Sequence, residues 1–92
     1  AAKGGVAAMT RSMAVEFAPK VRVNAIAPSV TLTERVRKLV AGNAAINKMA
    51  ESHLLGLIEP EEIADMALFL ASDESRKVTG HVHPVDAGII VS

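Results

Sequence analysis

The 92-residue chain has ten basic and ten acidic side chains, so its formal net charge is zero, and its dispersed basic residues give no electrostatic footprint for nucleic acid. Half of the residues are hydrophobic, which excludes a disordered chain. No run reaches the roughly 18 apolar residues that a membrane-spanning helix needs. The absence of cysteine excludes disulfides and thiol catalysis and favours a cytoplasmic location. We expect at most one small domain over residues 1–92.

The first 18 residues predict an amphipathic helix. Its apolar positions are three and four residues apart and form one face: Val6, Met9, Met13 and Phe17. Such a face is typical of a core or a helix–helix contact rather than of a cofactor site. Neither Ala1 nor Ala2 can accept a hydrogen bond from the free amides of a first turn. This start therefore predicts a helix, and a chain, that is truncated.

Residues 21–27 predict a buried strand, which suits a parallel sheet covered on both faces. The strand ends at Pro28, and a short loop with two threonines follows over residues 28–33. Open α/β sheets bind ligands at the carboxyl ends of their strands. This loop is therefore the candidate ligand-facing segment.

Three helices are predicted next. A capping box over Thr31–Glu34 would start a helix at Arg35–Val40, and Asn43 would cap a helix that runs to about Leu54. After an apolar connector, Glu59-Pro60-Glu61-Glu62 is a helix start, because proline suits the first turn and acidic side chains complement the helix dipole. The helix from Pro60 to Ala71 is apolar nearly all round, which predicts a sheet on one side and a partner or lid on the other.

A second strand is predicted over residues 81–86, with Pro84 favouring a sheet edge. The order of elements gives an α/β fold with two parallel strands, about four helices and a right-handed crossover. Two parallel strands are not a self-sufficient core. We therefore expect the chain to need the rest of a larger sheet or copies of itself.

Five segments, taken together and in this order, resemble the short-chain dehydrogenase/reductase family. They are Ala1-Ala2-Lys3-Gly4-Gly5-Val6, Arg22-Val23-Asn24-Ala25-Ile26-Ala27-Pro28, Pro60-Glu61-Glu62-Ile63-Ala64, Val78-Thr79-Gly80 and Val85-Asp86-Ala87-Gly88. The similarity covers nearly the whole chain and looks most like the C-terminal part of bacterial 3-oxoacyl-[acyl-carrier-protein] reductases. It implies part of a doubly wound parallel sheet, the Rossmann fold. It also implies an enzyme that transfers a hydride between NADP or NAD and a carbonyl or alcohol.

The resemblance also implies site residues. Lys3 matches the lysine of the Tyr-x-x-x-Lys motif, which binds the nicotinamide ribose and lowers the pKa of the tyrosine that protonates the carbonyl; a nearby cation favours phenolate. Pro28, Ser29, Thr31 and Thr33 match the Pro-Gly-x-x-x-Thr segment that lines the nicotinamide. The backbone near Thr31 would contact the carboxamide, and the Thr33 hydroxyl would contact the carboxamide or the pyrophosphate. No metal site is implied.

Other segments receive roles by the same resemblance. The helices over residues 34–54 would form a substrate-binding lid. A homo-oligomer interface would use the 60–71 helix, the 81–86 strand and the 1–18 helix. The motif's tyrosine would lie two positions before Ala1, and the glycine-rich phosphate loop and the catalytic serine would lie earlier still.

The chain departs from the family pattern at three positions. Ser29 replaces a glycine, and its side chain is expected to crowd the cofactor or to forbid a positive φ. Ala87 replaces the first glycine of the Val-Asp-Gly-Gly turn, and Ala2 replaces a common serine. Both of these are expected to be mild changes.

Plainer interpretations stay open for several of these residues. Lys3 can be a solvated lysine, and Thr31 and Thr33 can cap a helix. His81 and His83 share a strand face, but no third metal ligand is evident. The adjacent Glu61 and Glu62 point apart, which favours a role at the helix dipole. The basic residues Arg35, Arg37 and Lys38 can attract an acidic carrier or simply face water.

Two functions of different classes follow. The first is the C-terminal portion of an NAD(P)-dependent short-chain oxidoreductase. As an isolated chain it is expected to be inactive and not to bind the cofactor, because the phosphate-binding glycines are missing. The alternative is a non-catalytic oligomerisation module or a decayed gene product. The lid helices would set the substrate, and the choice between NAD and NADP is expected to be made in the N-terminal half of such an enzyme.

Overall fold

The computed structural model describes residues 2–89, with side chains from Gly4 onward. Within that range the chain forms four α-helices, a 3₁₀ turn and two strands. They are α1 (Ala2–Phe17), β1 (Ala25–Pro28), α2 (Glu34–Val40), α3 (Ala44–Glu51), α4 (Pro60–Ala71), the 3₁₀ turn (Asp73–Ser75) and β2 (Val82–Val85). The two strands pair in parallel, so the predicted α/β arrangement is confirmed.

Both strands are shorter than the predicted residues 21–27 and 81–86. Ala25 lies opposite Val82 and Pro28 lies opposite Val85. Before β1, the chain bonds to the 78–81 loop instead: the Gly80 N–H donates to the Val23 carbonyl at 2.7 Å. There the Val23 N–H also donates to a side chain, the Thr79 hydroxyl, at 3.0 Å. Mixed side-chain and backbone bonds therefore replace the regular ladder at this end.

Two of the predicted helix starts are confirmed. Glu59 caps α4, and its N–H donates to the Glu62 carboxylate at 2.8 Å in a reciprocal capping box. Asn43 caps α3, and its side-chain oxygen accepts from the Ala45 N–H at 2.9 Å. These starts were predictable because the capping bonds themselves join residues of a single turn.

The predicted cap of α2 and the predicted end of α3 are wrong. Thr33, not Thr31, is the N-cap of α2, and its hydroxyl accepts from the Val36 N–H at 3.3 Å. The backbone of Thr31 instead forms a parallel β-bridge with Ile58, so this residue lies outside the helix. Helix α3 ends at Glu51 rather than near Leu54, because the Ser52 and His53 N–H groups donate to the carbonyls of Met49 and Ala50, three residues back, and form turns.

Helix α1 buries a face other than the predicted apolar one. Thr10 and Ala14 are 6% and 5% exposed, and the Thr10 hydroxyl is satisfied by donating to the Val6 carbonyl at 2.7 Å. Small side chains allow close packing here, since the Ala14 Cβ lies 3.4 Å from where a Cβ on Gly80 would stand. The predicted stripe, by contrast, is exposed: Val6, Met9, Met13 and Phe17.

Arg22 joins the segment before β1 to the end of α4. Its guanidinium donates to the Ser72 carbonyl at 3.1 Å, to the Val78 carbonyl at 3.2 Å and to the Ser75 hydroxyl at 3.1 Å. Ser75 is 1% exposed and donates in turn to the Phe69 carbonyl at 2.8 Å. A cation at the C-terminal end of a helix also complements its dipole.

Residues 2–89 enclose little core. Among them, the buried hydrophobic residues are Ala14 and Ile58. The radius of gyration is 15.5 Å, whereas a compact domain of this length has about 12 Å. No helix in the described range is long and apolar enough to cross a membrane. The open shape supports the expectation that these elements belong to a larger sheet.

Candidate functional site

The loop over residues 28–33 leaves the carboxyl end of β1 and is held at both ends by backbone hydrogen bonds. The Ser29 N–H donates to the Val85 carbonyl at 3.3 Å, extending the ladder to β2. Further on, the Leu32 N–H donates to the Ile58 carbonyl at 2.7 Å, and the Ile58 N–H donates to the Val30 carbonyl at 3.4 Å. The loop therefore pairs with the connector before α4 and has a defined shape.

Thr31 lies at the centre of this pairing, opposite Ile58. In a parallel pairing of this kind the bonds to Ile58 are made by the two neighbours of Thr31, so the Thr31 N–H points to the other side. The Thr31 hydroxyl donates to the Ser29 carbonyl at 3.1 Å. The loop thus offers a backbone donor at Thr31, while the hydroxyl of that residue is engaged within the loop.

Thr33 is exposed at the end of the loop and carries the second donor. Its oxygen accepts from the Val36 N–H as the cap of α2, which leaves the hydroxyl proton available to an acceptor outside the helix. Capping and ligand contact are therefore compatible at this residue. Pro28, the last residue of β1, is exposed beside the loop.

A buried histidine joins this loop, and the sequence analysis did not identify it. His53 follows α3 and is 4% exposed. Its Nδ1 lies 3.0 Å from the Met49 carbonyl oxygen and its Nε2 lies 2.9 Å from the Ser29 hydroxyl. Because a carbonyl only accepts, Nδ1 carries a proton, and in the neutral form of the ring Nε2 accepts the Ser29 hydroxyl proton. No local pattern signals this pair, since the two residues are 24 positions apart.

Ser29 does not adopt a positive φ, which agrees with the expectation that a side chain at this position forbids one, and its effect on the cofactor stays a prediction. Among residues 2–89, Ala87 is the non-glycine residue with a positive φ, at 53°. Ala87 is therefore the position where the replaced glycine affects the backbone, because alanine adopts a left-handed conformation there. The next residue, Gly88, has a φ of 89°, and a Cβ on it would lie 2.9 Å from a Leu54 methyl.

The remaining candidate residues lie apart from this loop or outside the described side chains. Lys3 is in the first turn of α1, but its side chain lies outside the described residues, so its role stays a prediction. The His83 Nε2 donates to the Asn24 side-chain oxygen at 3.0 Å. No cluster of three metal-binding side chains occurs in the described range. Arg37 pairs with Glu59, and the two exposed side chains gain about 1 kcal/mol at most.

The parallel pair, with a structured loop at the carboxyl end of β1, is the arrangement of a Rossmann-type α/β fold. The model of the enoyl-(acyl carrier protein) reductase family matches residues 1–90. The chain belongs to the short-chain dehydrogenase/reductase family, of which it represents a C-terminal portion, as the resemblance implied.

Relatives with different substrate names share this portion. The chain is 42% identical to a 3-oxoacyl-[acyl-carrier-protein] reductase of Thermotoga maritima, covering 99% of this chain and 37% of that protein. It is 38% identical to an NAD-dependent glycerol dehydrogenase of Listeria innocua, covering 99% and 36%. A crystal structure from Agrobacterium tumefaciens, a putative 2-deoxy-D-gluconate 3-dehydrogenase with bound NADP, matches with 36% identity and a TM-score of 0.88, covering 99% and 38%. The chain thus spans a little over a third of each of these relatives.

Proposed function

We propose that residues 1–92 form the C-terminal part of one NAD(P)-dependent oxidoreductase domain, in which residues 28–33 line the nicotinamide. The observation that carries the proposal is the loop itself, which presents the Thr31 N–H and the Thr33 hydroxyl at the carboxyl end of a parallel strand. Two donors suit a nicotinamide carboxamide, whose oxygen accepts hydrogen bonds. Family membership and relatives named for NAD or NADP give further support.

In this proposal the candidate site residues bind or orient the nicotinamide cofactor. The Thr31 N–H and the Thr33 hydroxyl hold the carboxamide, or Thr33 holds the pyrophosphate, while Pro28 and Ser29 shape the wall of the pocket. Lys3 binds the nicotinamide ribose and acts on a tyrosine that the 92 residues do not contain. The bound cofactor supplies or accepts the hydride when a carbonyl or alcohol is the substrate. The isolated chain is therefore inactive.

The test replaces the matched segment of the Thermotoga reductase with this chain, to give a chimeric enzyme. We expect the chimera to oxidise NADPH or NADH in the presence of a 3-oxoacyl substrate, and the isolated 92-residue chain to bind neither dinucleotide by calorimetry. A folded chimera that binds neither would contradict the proposal. Tight dinucleotide binding by the isolated chain would contradict the proposed inactivity.

A matched pair of substitutions in the chimera tests the loop. Thr33→Val removes a hydroxyl that is free to donate, so we expect the KM for the cofactor to rise about five- to tenfold. Thr31→Val removes a hydroxyl that is engaged within the loop, and the KM is expected to change less than about twofold. Thr33→Ser, which restores both the cap and the donor, should restore the KM. Equal effects of the two valine variants would argue against a Thr33 contact.

We also propose that the chain contributes to a homo-oligomer through the 60–71 helix, the 81–86 strand and the 1–18 helix. Large apolar side chains exposed on these segments support this, among them Leu68 at 71%, Met9 at 62% and Val15 at 80%. The alternative function, an oligomerisation module without catalysis, rests on the same exposed surface. An inactive chimera that still associates would favour that alternative.

A further inference from the structure

We propose that His53 is a positioning residue that fixes the cofactor-facing loop against the lid helices by holding the Ser29 side chain. The proposal rests on the proposed function of residues 28–33. It assigns a role to a histidine that no family motif discussed above contains, and to a serine that stands where the family pattern has glycine.

The direction of the hydrogen bonds defines how the pair works. The Met49 carbonyl fixes the His53 ring by accepting from Nδ1 at 3.0 Å. The second ring nitrogen then accepts from the Ser29 hydroxyl at 2.9 Å. The hydroxyl proton of Ser29 is therefore directed to His53. The Ser29 oxygen can still accept a hydrogen bond from another group.

Ser29 is held from three directions. Its N–H donates to the Val85 carbonyl at 3.3 Å, its carbonyl accepts from the Thr31 hydroxyl at 3.1 Å, and its side chain bonds to His53. A glycine at this position would keep the backbone bonds but would lose the side-chain bond. The serine thus adds a link between the loop and the end of α3 that glycine cannot make.

His53 acts through Ser29 rather than on a substrate. The residue is 4% exposed and both ring nitrogens are engaged in hydrogen bonds, so it has no free nitrogen for proton transfer. Helix α3 packs on α2, and His53 ties the end of this helical pair to the loop. Loop and lid are consequently expected to hold the cofactor as one unit.

The test uses substitutions in the active chimera that separate the two bonds of His53. In His53→Asn the amide nitrogen takes the place of Nδ1 and keeps the bond to Met49, but the reach to Ser29 is lost. In His53→Gln the terminal amide takes the place of Nε2 and keeps an acceptor for Ser29. We expect Ser29→Ala and His53→Asn each to raise the KM for the cofactor about five- to tenfold with a smaller change in kcat, and His53→Gln to restore most of the affinity.

A double-mutant cycle gives the decisive readout. If Ser29 and His53 act as one unit, Ser29→Ala combined with His53→Asn raises the KM no further than either change alone. Additive effects, or an unchanged KM in an enzyme whose thermal midpoint falls, would show a merely structural contact and overturn the proposal. Nitrogen NMR of the ring provides an independent check in the unsubstituted chimera, because the proposal requires a proton on Nδ1.

The two proposals fail in different ways. A folded, unsubstituted chimera without cofactor binding contradicts the proposed function and this proposal with it. A chimera that binds and turns over cofactor, but in which Ser29→Ala and His53→Asn leave the KM unchanged, contradicts the role of His53 alone.

Discussion

Ala87 is a non-glycine residue in a backbone conformation that favours glycine. Its φ of 53° lies in the left-handed region, which costs an alanine roughly 1–2 kcal/mol. The conformation persists because the turn is fixed on both sides. The Leu55 N–H donates to the Ala87 carbonyl at 3.0 Å, and Asp86 accepts from the Gly88 N–H at 3.0 Å.

We therefore predict that Ala87→Gly stabilises the chimera. Glycine removes the left-handed strain but costs about 0.4–1 kcal/mol through the flexibility of the unfolded chain, so the net gain is expected to be about 0.5–1 kcal/mol. The measurement is the midpoint of thermal unfolding. Ala41→Gly is the matched control, because Ala41 has an ordinary φ of −63° and the same change there should lower the midpoint. A lower midpoint for Ala87→Gly would show that the turn is not strained.

The sequence identified the loop of the proposed site but not the contacts that hold it. Thr31, Thr33 and Ser29 were recognisable because they lie in one short segment with a family pattern. His53 was not, because its partner Ser29 is brought to it by the fold and not by local spacing. The positive φ of Ala87 could not be predicted for a related reason, since a sequence pattern shows where glycine is usual and not which φ the chain adopts.

Between elements, Arg22 links parts of the chain that are 50 to 56 positions apart in the sequence. Its guanidinium bonds three acceptors that lie after α4 and before β2. Lysine can place its charge near the end of the helix but lacks the planar fork. Arg22 thus holds the end of α4 to the segment that leads into β1.

We predict that Arg22→Lys destabilises the chimera by about 1–3 kcal/mol, because carbonyl groups lose their donors in a partly buried place. The thermal midpoint measures the effect. Arg76→Lys is the control: Arg76 is exposed and its guanidinium donates to the Asp73 carbonyl in its own turn, so this change should cost less than about 0.5 kcal/mol. Equal costs for the two variants would mean that the network around Arg22 adds nothing.

Helices were predicted better than strands for a physical reason. The starts of α3 and α4 depend on caps and on a proline that act within one turn, so local residues determine them. The ends of β1 and β2 depend on which loop the neighbouring residues meet. The sequence pattern places Asn24 in a strand, yet its side-chain amide donates to the Val78 carbonyl at 2.9 Å. The pairing of β1 with β2 begins one residue later, at Ala25.

On the scale of the whole molecule, apolar surface is the main feature of the described range. Helix α4 is half-buried at Ile63, Met66 and Leu70 and leaves Leu68 and Phe69 exposed at 71% and 41%. This agrees with the expectation of a helix covered on two sides, one of which residues 2–89 do not cover. Exposed apolar patches of this kind are typical of protein interfaces.

We predict that Leu68→Glu weakens self-association of the chimera. Full burial of a leucine contributes about 1.5–3 kcal/mol, and a two-fold symmetric contact would contain the residue twice, so the dissociation constant should rise at least about a hundredfold. Sedimentation velocity over a range of protein concentrations measures the shift, and cofactor binding at high concentration shows that the variant remains folded.

Leu55→Glu is the matched control for this prediction. It introduces the same charge at a leucine that is 86% exposed but lies in the connector before α4, outside the three proposed interface segments. The control should leave the sedimentation coefficient unchanged. If Leu55→Glu dissociates the chimera and Leu68→Glu does not, the interface lies next to the lid helices over residues 34–54. The exposed face of α4 then packs against another part of its own sheet. If neither does, α4 is not in contact with a second copy, and its apolar face must be covered within one chain.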